Sequence, residues 1–403
     1  MKKTKIDVGA DLYLQLPLAV GTLQWGTTIV DHKLINAKGC ISETEANGIF
    51  RELRGAGVTL FDTAEGYGGG TSEKRLGRCA KDEEAARKAA SSSDEDEDKR
   101  EDAPLLMTKF LPTFWRYSHA CFEGALRASN KRLGVDCCPI YLLHTPVHWR
   151  PLEFWVEAAS ICKRKGLLKT LGLSNCNADQ VRRAVNAGKK VSYGCSGDFL
   201  ICSSPSLTTV PLLASSQCCI IQHGIPVVCN QVHYSLLDYG SRELMEMEMT
   251  CKELDVLIIA YSPIGQGMLT DSLTSQSFSS NRVSRMLRLD YDDVQPLRHA
   301  IRRIADSHGE KTMAQIALNW CVAHGTVPLV GCRSLKQARD TLGCIGWDLT
   351  ENEVKELDRL ALSRSTLESP LWRRYLFVSL AGFVMLACRG LDWLGWGMGK
   401  KAA

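Results

Sequence analysis

Short apolar runs, each closed by polar side chains, alternate along this chain with stretches whose apolar residues recur at helical spacing. Residues 57–61 run into Asp62, and Leu105-Leu106-Met107-Thr108 leads to Lys109. Ile140-Tyr141-Leu142-Leu143 leads to His144, and Leu168 through Leu173 to Ser174-Asn175. Pro226-Val227-Val228-Cys229-Asn230 closes on Gln231, Leu257-Ile258-Ile259-Ala260 on Tyr261-Ser262, and Thr326 through Val330 on Gly331-Cys332-Arg333-Ser334. A further run, 16–26, carries glycines that let the chain turn at its end. Helices are predicted over 42–53, 118–133, 154–165, 294–308 and 312–324, the first opened by Ser42 with acids behind it and stopped by Gly55 and Gly57. Strands alternating with helices predict parallel pairing, and in an eight-stranded parallel barrel the C-terminal strand ends would converge on one mouth.

That convergence would gather Asp62, Lys109 and His144, and with them Tyr67, which lies on the loop just after Asp62. A phenol has little acid–base use near neutrality unless a cation lowers its pKa or a neighbour relays its proton. A tyrosine, a lysine with an acid to hold it, and a histidine form a workable set. Ser174 and Asn175 offer paired donors and acceptors suited to an amide. Gly265, Gln266 and Gly267 allow close backbone approach to a phosphate, and Gly331, Arg333 and Ser334 before a helix make an anion site.

The order Asp…Tyr…Lys…His, set in D-T-A-E-x-Y-G, T-K and L-L-H, resembles the catalytic tetrad of the aldo-keto reductases, from about residue 18 to about residue 360. The resemblance implies a (β/α)8 barrel binding NADPH/NADP+ without a separate nucleotide-binding domain, and reduction of small-molecule aldehydes or ketones. Tyr67 would be the proton donor, Lys109 and Asp62 its tuning pair and His144 the orienter. Ser174, Asn175, Gln231, Tyr261, Ser262, Gly265, Gly267, Gly331, Arg333, Ser334, Gln337 and Asp340 would contact the cofactor, with Tyr261 stacking on nicotinamide. Trp25 would face substrate, with a core position as its rival. Thr341 stands where the family usually has asparagine, which weakens the adenine contact. A second reading, a non-catalytic NADP(H)-binding subunit sensing redox state in a membrane-associated complex, remains open.

The chain has 403 residues and a net charge of +4, its basic residues scattered rather than clustered. No nucleic-acid footprint follows. Its 17 cysteines show no metal spacing, and with no secretory signal they read as reduced thiols in a cytoplasmic setting. No metal site is expected. Arg282, Arg285 and Arg288, at helical spacing in a polar stretch, are candidates to cover the cofactor.

Three stretches depart from the barrel pattern of residues 1–365. Residues 81–103, with Asp94-Glu95-Asp96-Glu97-Asp98, read as a solvated, disordered insertion after a short helix ending near Arg78. Residues 189–223 have no clear period and interrupt the resemblance, either as a surface insertion or as translated intron. The tail, 366–403, carries an apolar run with basic and tryptophan-rich flanks that predicts membrane contact through 371–399.

Overall fold

The computed structural model describes residues 6–26, 40–90, 103–189, 192–193, 220–221, 224–281, 284–285, 289–309 and 311–362. Eight parallel strands close on themselves in chain order: β3 (Ala19–Gly21), β4 (Leu60–Asp62), β5 (Leu105–Phe110), β6 (Cys138–Leu143), β7 (Leu168–Ser174), β10 (Val227–His233), β11 (Leu257–Tyr261) and β12 (Val327–Gly331), which returns to β3. This is the predicted (β/α)8 barrel. Earlier, β1 (Ile6–Gly9) and β2 (Leu12–Leu14) form a hairpin whose Val8, Leu12 and Leu14 pack with the barrel-interior residues Ala19, Leu60, Met107, Ile140 and Ile259. The pair β8 (Ser192–Tyr193) and β9 (Ile220–Ile221) lies apart from the barrel sheet.

The helices cover the barrel because their apolar faces have nowhere else to go. Helix α1 (Glu43–Gly55) starts with a complete capping box, Ser42 with Glu45, and buries Ile49, Phe50 and Leu53. Helix α2 (Thr71–Ala90) follows β4, and α3 (His119–Leu133), capped by Ser118, follows β5. Helices α4 (Leu152–Arg164), α5 (Ala178–Gly188) and α6 (Arg242–Glu253) follow β6, β7 and β10. After β11 come α7 (Ser275–Ser280), α8 (Gln295–Ser307) and α9 (Met313–Ala323); α10 (Leu335–Leu342) and α11 (Glu351–Leu360) follow β12. Around the outside of β6, Trp155, Phe110 and Phe122 pack with ring centroids 4.9 to 6.4 Å apart.

One expectation is corrected. Residues 81–90 are the last turns of α2 rather than a disordered loop. Ala and long charged residues have high helix propensity, and Lys88 pairs with Glu84 at 2.6 Å while Arg54 of α1 holds Glu83 at 3.0 Å. The acidic run 94–98, nearly all of the 189–223 interruption and the membrane-contact tail fall outside the described residues. Among the described residues no helix is long and apolar enough to cross a membrane.

Candidate active site

Asp62, the last residue of β4, is 2% exposed, and Lys109 on β5 is fully buried, their side chains meeting at 2.6 Å inside the barrel mouth. A buried ion pair persists only when its remaining hydrogen-bonding capacity is met. Here it is. The Lys109 ammonium donates to Asp62 Oδ2, to the Thr63 carbonyl at 2.8 Å and to Tyr67 Oη at 3.2 Å, which uses all three of its protons. The second Asp62 oxygen accepts from Gln231 Nε2 at 3.0 Å.

Tyr67 reaches this point because the chain after β4 turns tightly. Its amide bonds the Ala64 carbonyl at 3.0 Å, and Gly68 and Gly69 follow with φ of 60° and 64°. Gly68 lies so close to the Gly26 carbonyl that an added Cβ would sit 1.2 Å from that oxygen. Since the Tyr67 oxygen accepts from Lys109, its own proton is free to be given elsewhere. Burial raises the phenol's pKa and outweighs the pull of Lys109, while Asp62 adds to the rise, so Tyr67 is held protonated. Burial disfavours the Lys109 cation, yet the Asp62 carboxylate more than compensates and keeps it charged. The His144 ring stands edge-on to Tyr67, centroids 6.2 Å apart, and is neutral: burial and the Lys109 charge bring its pKa down to about 3.

The neighbouring strand ends hold the other predicted side chains. Asn175 adopts φ 59°, a left-handed conformation that asparagine tolerates. Its Nδ2 donates to the His144 carbonyl at 3.2 Å and to Ser174 Oγ at 3.0 Å, and its Oδ1 accepts from Tyr261 at 2.9 Å. Ser262, Gly265, Gln266 and Gly267 all have positive φ, which folds the loop after β11 back on itself. Arg298 of α8 pins that loop by donating to the Met268 and Thr270 carbonyls at 2.6 and 2.9 Å. Gly331 is exposed at the end of β12. Ser334 caps α10 through the Gln337 amide, and the Gln337 side chain accepts from the Arg333 amide at 2.8 Å. The Arg333 guanidinium has no carboxylate partner among the described residues, where no metal-binding cluster of acids, histidines and cysteines occurs either. Arg285 is exposed; Arg282 and Arg288 lie outside the described residues.

One predicted contact is corrected. Trp25 is fully buried, its indole N–H donating to the Cys332 carbonyl at 3.2 Å among Leu18, Phe50 and Phe61, so it is a core residue and not a mouth residue. Asp340 Oδ1 accepts from Thr312 and Gln315 at 3.1 Å, which ties α10 to α9. Its neighbour Arg339 is held by Glu52 at 2.8 Å, and Thr341 is buried.

Four residues were not singled out from sequence. Glu65 and Arg116 form a buried pair at 2.5 and 2.9 Å, and Glu65 also accepts from the Leu111 amide. Glu65 lies inside the D-T-A-E motif, where an acid followed by a tight turn was the available signal; Arg116 offered none. His233, at the mouth end of β10, is held by Asp238 at 2.7 Å and meets the Tyr261 ring at 90°. Its place two residues after Gln231, on the same face of a strand, was the missed clue.

These residues fit a pyridine dinucleotide phosphate. Amide donors and acceptors stand beside a half-buried aromatic ring, a left-handed loop follows, and an uncompensated guanidinium sits at a helix start.

The profile of the Aldo/keto reductase family matches residues 17–195 and 214–362. The unmatched stretch lies within the predicted interruption. The chloroplastic pyridoxal reductase of Arabidopsis thaliana is 30% identical over 352 residues, covering 86% of this chain and 84% of that protein. An NADP(+) aldo-keto reductase of Schizosaccharomyces pombe is 24% identical over 78% of this chain and 82% of its own. In fold, a Bombyx mori aldo-keto reductase crystallised with NADP superposes with a TM-score of 0.62 at 20% identity, over 93% of this chain and 98% of that one.

Proposed function

This chain belongs to the aldo/keto reductase family of NADP-dependent oxidoreductases, and from that premise we propose that it reduces aromatic aldehydes of the pyridoxal type to alcohols, with Tyr67 as proton donor. Ser174, Asn175 and Gln231 would hold the nicotinamide amide, Tyr261 its ring, the 265–267 loop the pyrophosphate and Arg333 with Ser334 the 2′-phosphate. When bound, NADPH supplies the hydride for the carbonyl carbon.

The protein's own groups handle the oxygen. Tyr67 gives its proton to the carbonyl oxygen as negative charge develops there. Lys109, within 3.2 Å of the phenol oxygen, then stabilises the phenolate left behind. Asp62 keeps the lysine charged and in place. Neutral His144 has a ring N–H to orient the carbonyl without competing for the proton. The observation that carries the reading is the contact of Lys109 with both Asp62 and Tyr67 in one water-poor site.

The aromatic class of substrate draws support from the rim. Phe114 and Tyr117 after β5 and Trp149 after β6 are more than half exposed at the end of the barrel that carries Lys109 and His144. Flat rings stack on such surfaces. The pyridoxal reductase at 30% identity is consistent with this class.

The test is NADPH consumption with pyridoxal and a panel of aromatic and aliphatic aldehydes, with Tyr67→Phe alongside. Expected is turnover of the aromatic aldehydes that falls by about 10²- to 10⁴-fold in the variant while NADPH binding persists. Turnover unchanged in Tyr67→Phe would sink the assignment of the donor, and no turnover of any carbonyl by the wild type would sink the reading.

A further inference from the structure

The Gln231 side chain lies where the cofactor amide is proposed to bind, yet it is tied to the catalytic ion pair. Its Nε2 donates to Asp62 Oδ1 at 3.0 Å while Lys109 holds Asp62 Oδ2 at 2.6 Å. Both side chains are nearly excluded from solvent, Gln231 at 4% and Asp62 at 2% exposure. A carboxylate can only accept hydrogen bonds, so it dictates which end of the glutamine amide faces it. One N–H is fixed on Asp62, and the carbonyl Oε1 and the second N–H are left for another ligand.

We propose that Asp62 sets the hydrogen-bonding polarity of Gln231, making Gln231 a positioning link between the ion pair at Tyr67 and the nicotinamide amide of the cofactor. This rests on the proposed placement of NADPH at Ser174, Asn175 and Gln231. Charge on Asp62 and occupancy of the amide site are then coupled, and the coupling runs equally in both directions. Asp62 thereby affects how tightly the cofactor amide is held.

Asp62→Asn isolates the effect. An asparagine has one oxygen and one NH2 where the carboxylate has two acceptors. The Lys109 cation takes the oxygen, since a charged donor makes the stronger bond. The NH2 then confronts Gln231 Nε2, two donors face each other, and the glutamine amide must flip. Flipping turns Oε1 towards residue 62 and leaves only N–H groups for the cofactor amide.

The experiment measures NADP+ dissociation constants by titration for wild type, Asp62→Asn, Gln231→Met and the double variant, with no turnover required. Expected is a loss of affinity of about five-fold or more in Asp62→Asn, and little further loss when Asp62→Asn is placed on Gln231→Met. Equal losses in both backgrounds, or none in either, would overturn the link. Gln231→Glu keeps the side-chain length and covers the case in which Asp62→Asn does not fold. Its carboxyl can donate to Asp62 only while protonated, so its NADP+ affinity should approach that of wild type at low pH and weaken as pH rises relative to wild type; an unchanged pH dependence overturns the link equally. These outcomes are separate from the turnover test of Tyr67, so the polarity link can fail while the donor assignment stands.

Discussion

Glu65 and Arg116 meet as a bidentate ion pair at 2.5 and 2.9 Å, with the glutamate side chain fully buried. One partner belongs to the turn that carries Tyr67; the other closes the loop that leaves β5 after Lys109. The guanidinium also donates to the Leu111 carbonyl and lies 4.8 Å over the Phe110 ring. Phenol, lysine and aromatic rim are therefore joined by a strut outside the tetrad.

Removing one partner leaves the other charged and buried. Glu65→Ala should cost about 3 to 5 kcal/mol, read from urea unfolding. Cofactor affinity should change less than turnover, because the strut touches the Tyr67 side of the mouth. A variant as stable as wild type would show that the pair contributes nothing.

Gly68 cannot carry a side chain without moving the backbone of Gly26. With φ at 60° and a Cβ that would lie 1.2 Å from the Gly26 oxygen, Gly68→Ala should displace the Tyr67 turn. The expected result is a loss of at least about 2 kcal/mol and a drop in kcat, by thermal unfolding and steady-state kinetics.

Trp149 donates from its indole to the Phe114 carbonyl at 2.9 Å, and the Arg150 guanidinium lies 4.6 Å over its ring. The indole is thus fixed in place while still 55% exposed. Trp149→Ala should raise KM for aromatic aldehydes by about three- to ten-fold and leave short aliphatic ones unchanged. Equal effects on both classes would remove Trp149 from substrate selection.

His144 should contribute no limb to the pH–rate profile near neutrality. Burial and Lys109 bring its pKa down to about 3, so the ring is neutral throughout the working range. A limb near pH 6.5 in wild type that vanishes in His144→Gln would contradict this.

His324 should make the fold more stable in neutral than in alkaline solution. It bridges Asp358 at 3.0 Å and Glu248 at 3.4 Å. Burial opposes its charge, but the two carboxylates override it and raise the pKa to about 9. A folded pKa above the unfolded value of about 6.5 gives stability that is full below about pH 6.5 and lost as pH rises through 9. On the order of 3 kcal/mol is at stake. Unfolding curves of wild type and His324→Gln should converge above that pH; a constant gap would refute the assignment.

Period, caps and strand-end chemistry were legible along the chain because they are local. Ser42 with Glu45, Ser118 and Thr312 announce helix starts through side chains within reach of their own backbone. Alternation of apolar runs with helices pointed to parallel strands, the resemblance carried by the strand-end motifs implied the barrel, and the barrel brought Asp62, Tyr67, Lys109 and His144 to one end. Charge and lack of apolar residues misled at 81–90, where helix propensity and the pairs to Arg54 and Lys88 win over solvation. Only the folded barrel could decide what long-range distances decide. Trp25 went to the core because Cys332, the residue after β12, lies across from it, and Asp340 ties α10 to α9 because Thr312 and Gln315 face it. Glu65 found Arg116, and Gln231 found Asp62, across 51 and 169 positions of sequence. Hydrogen bonds and ion pairs act over a few ångströms, so their partners are fixed by closure of the sheet and not by spacing along the chain.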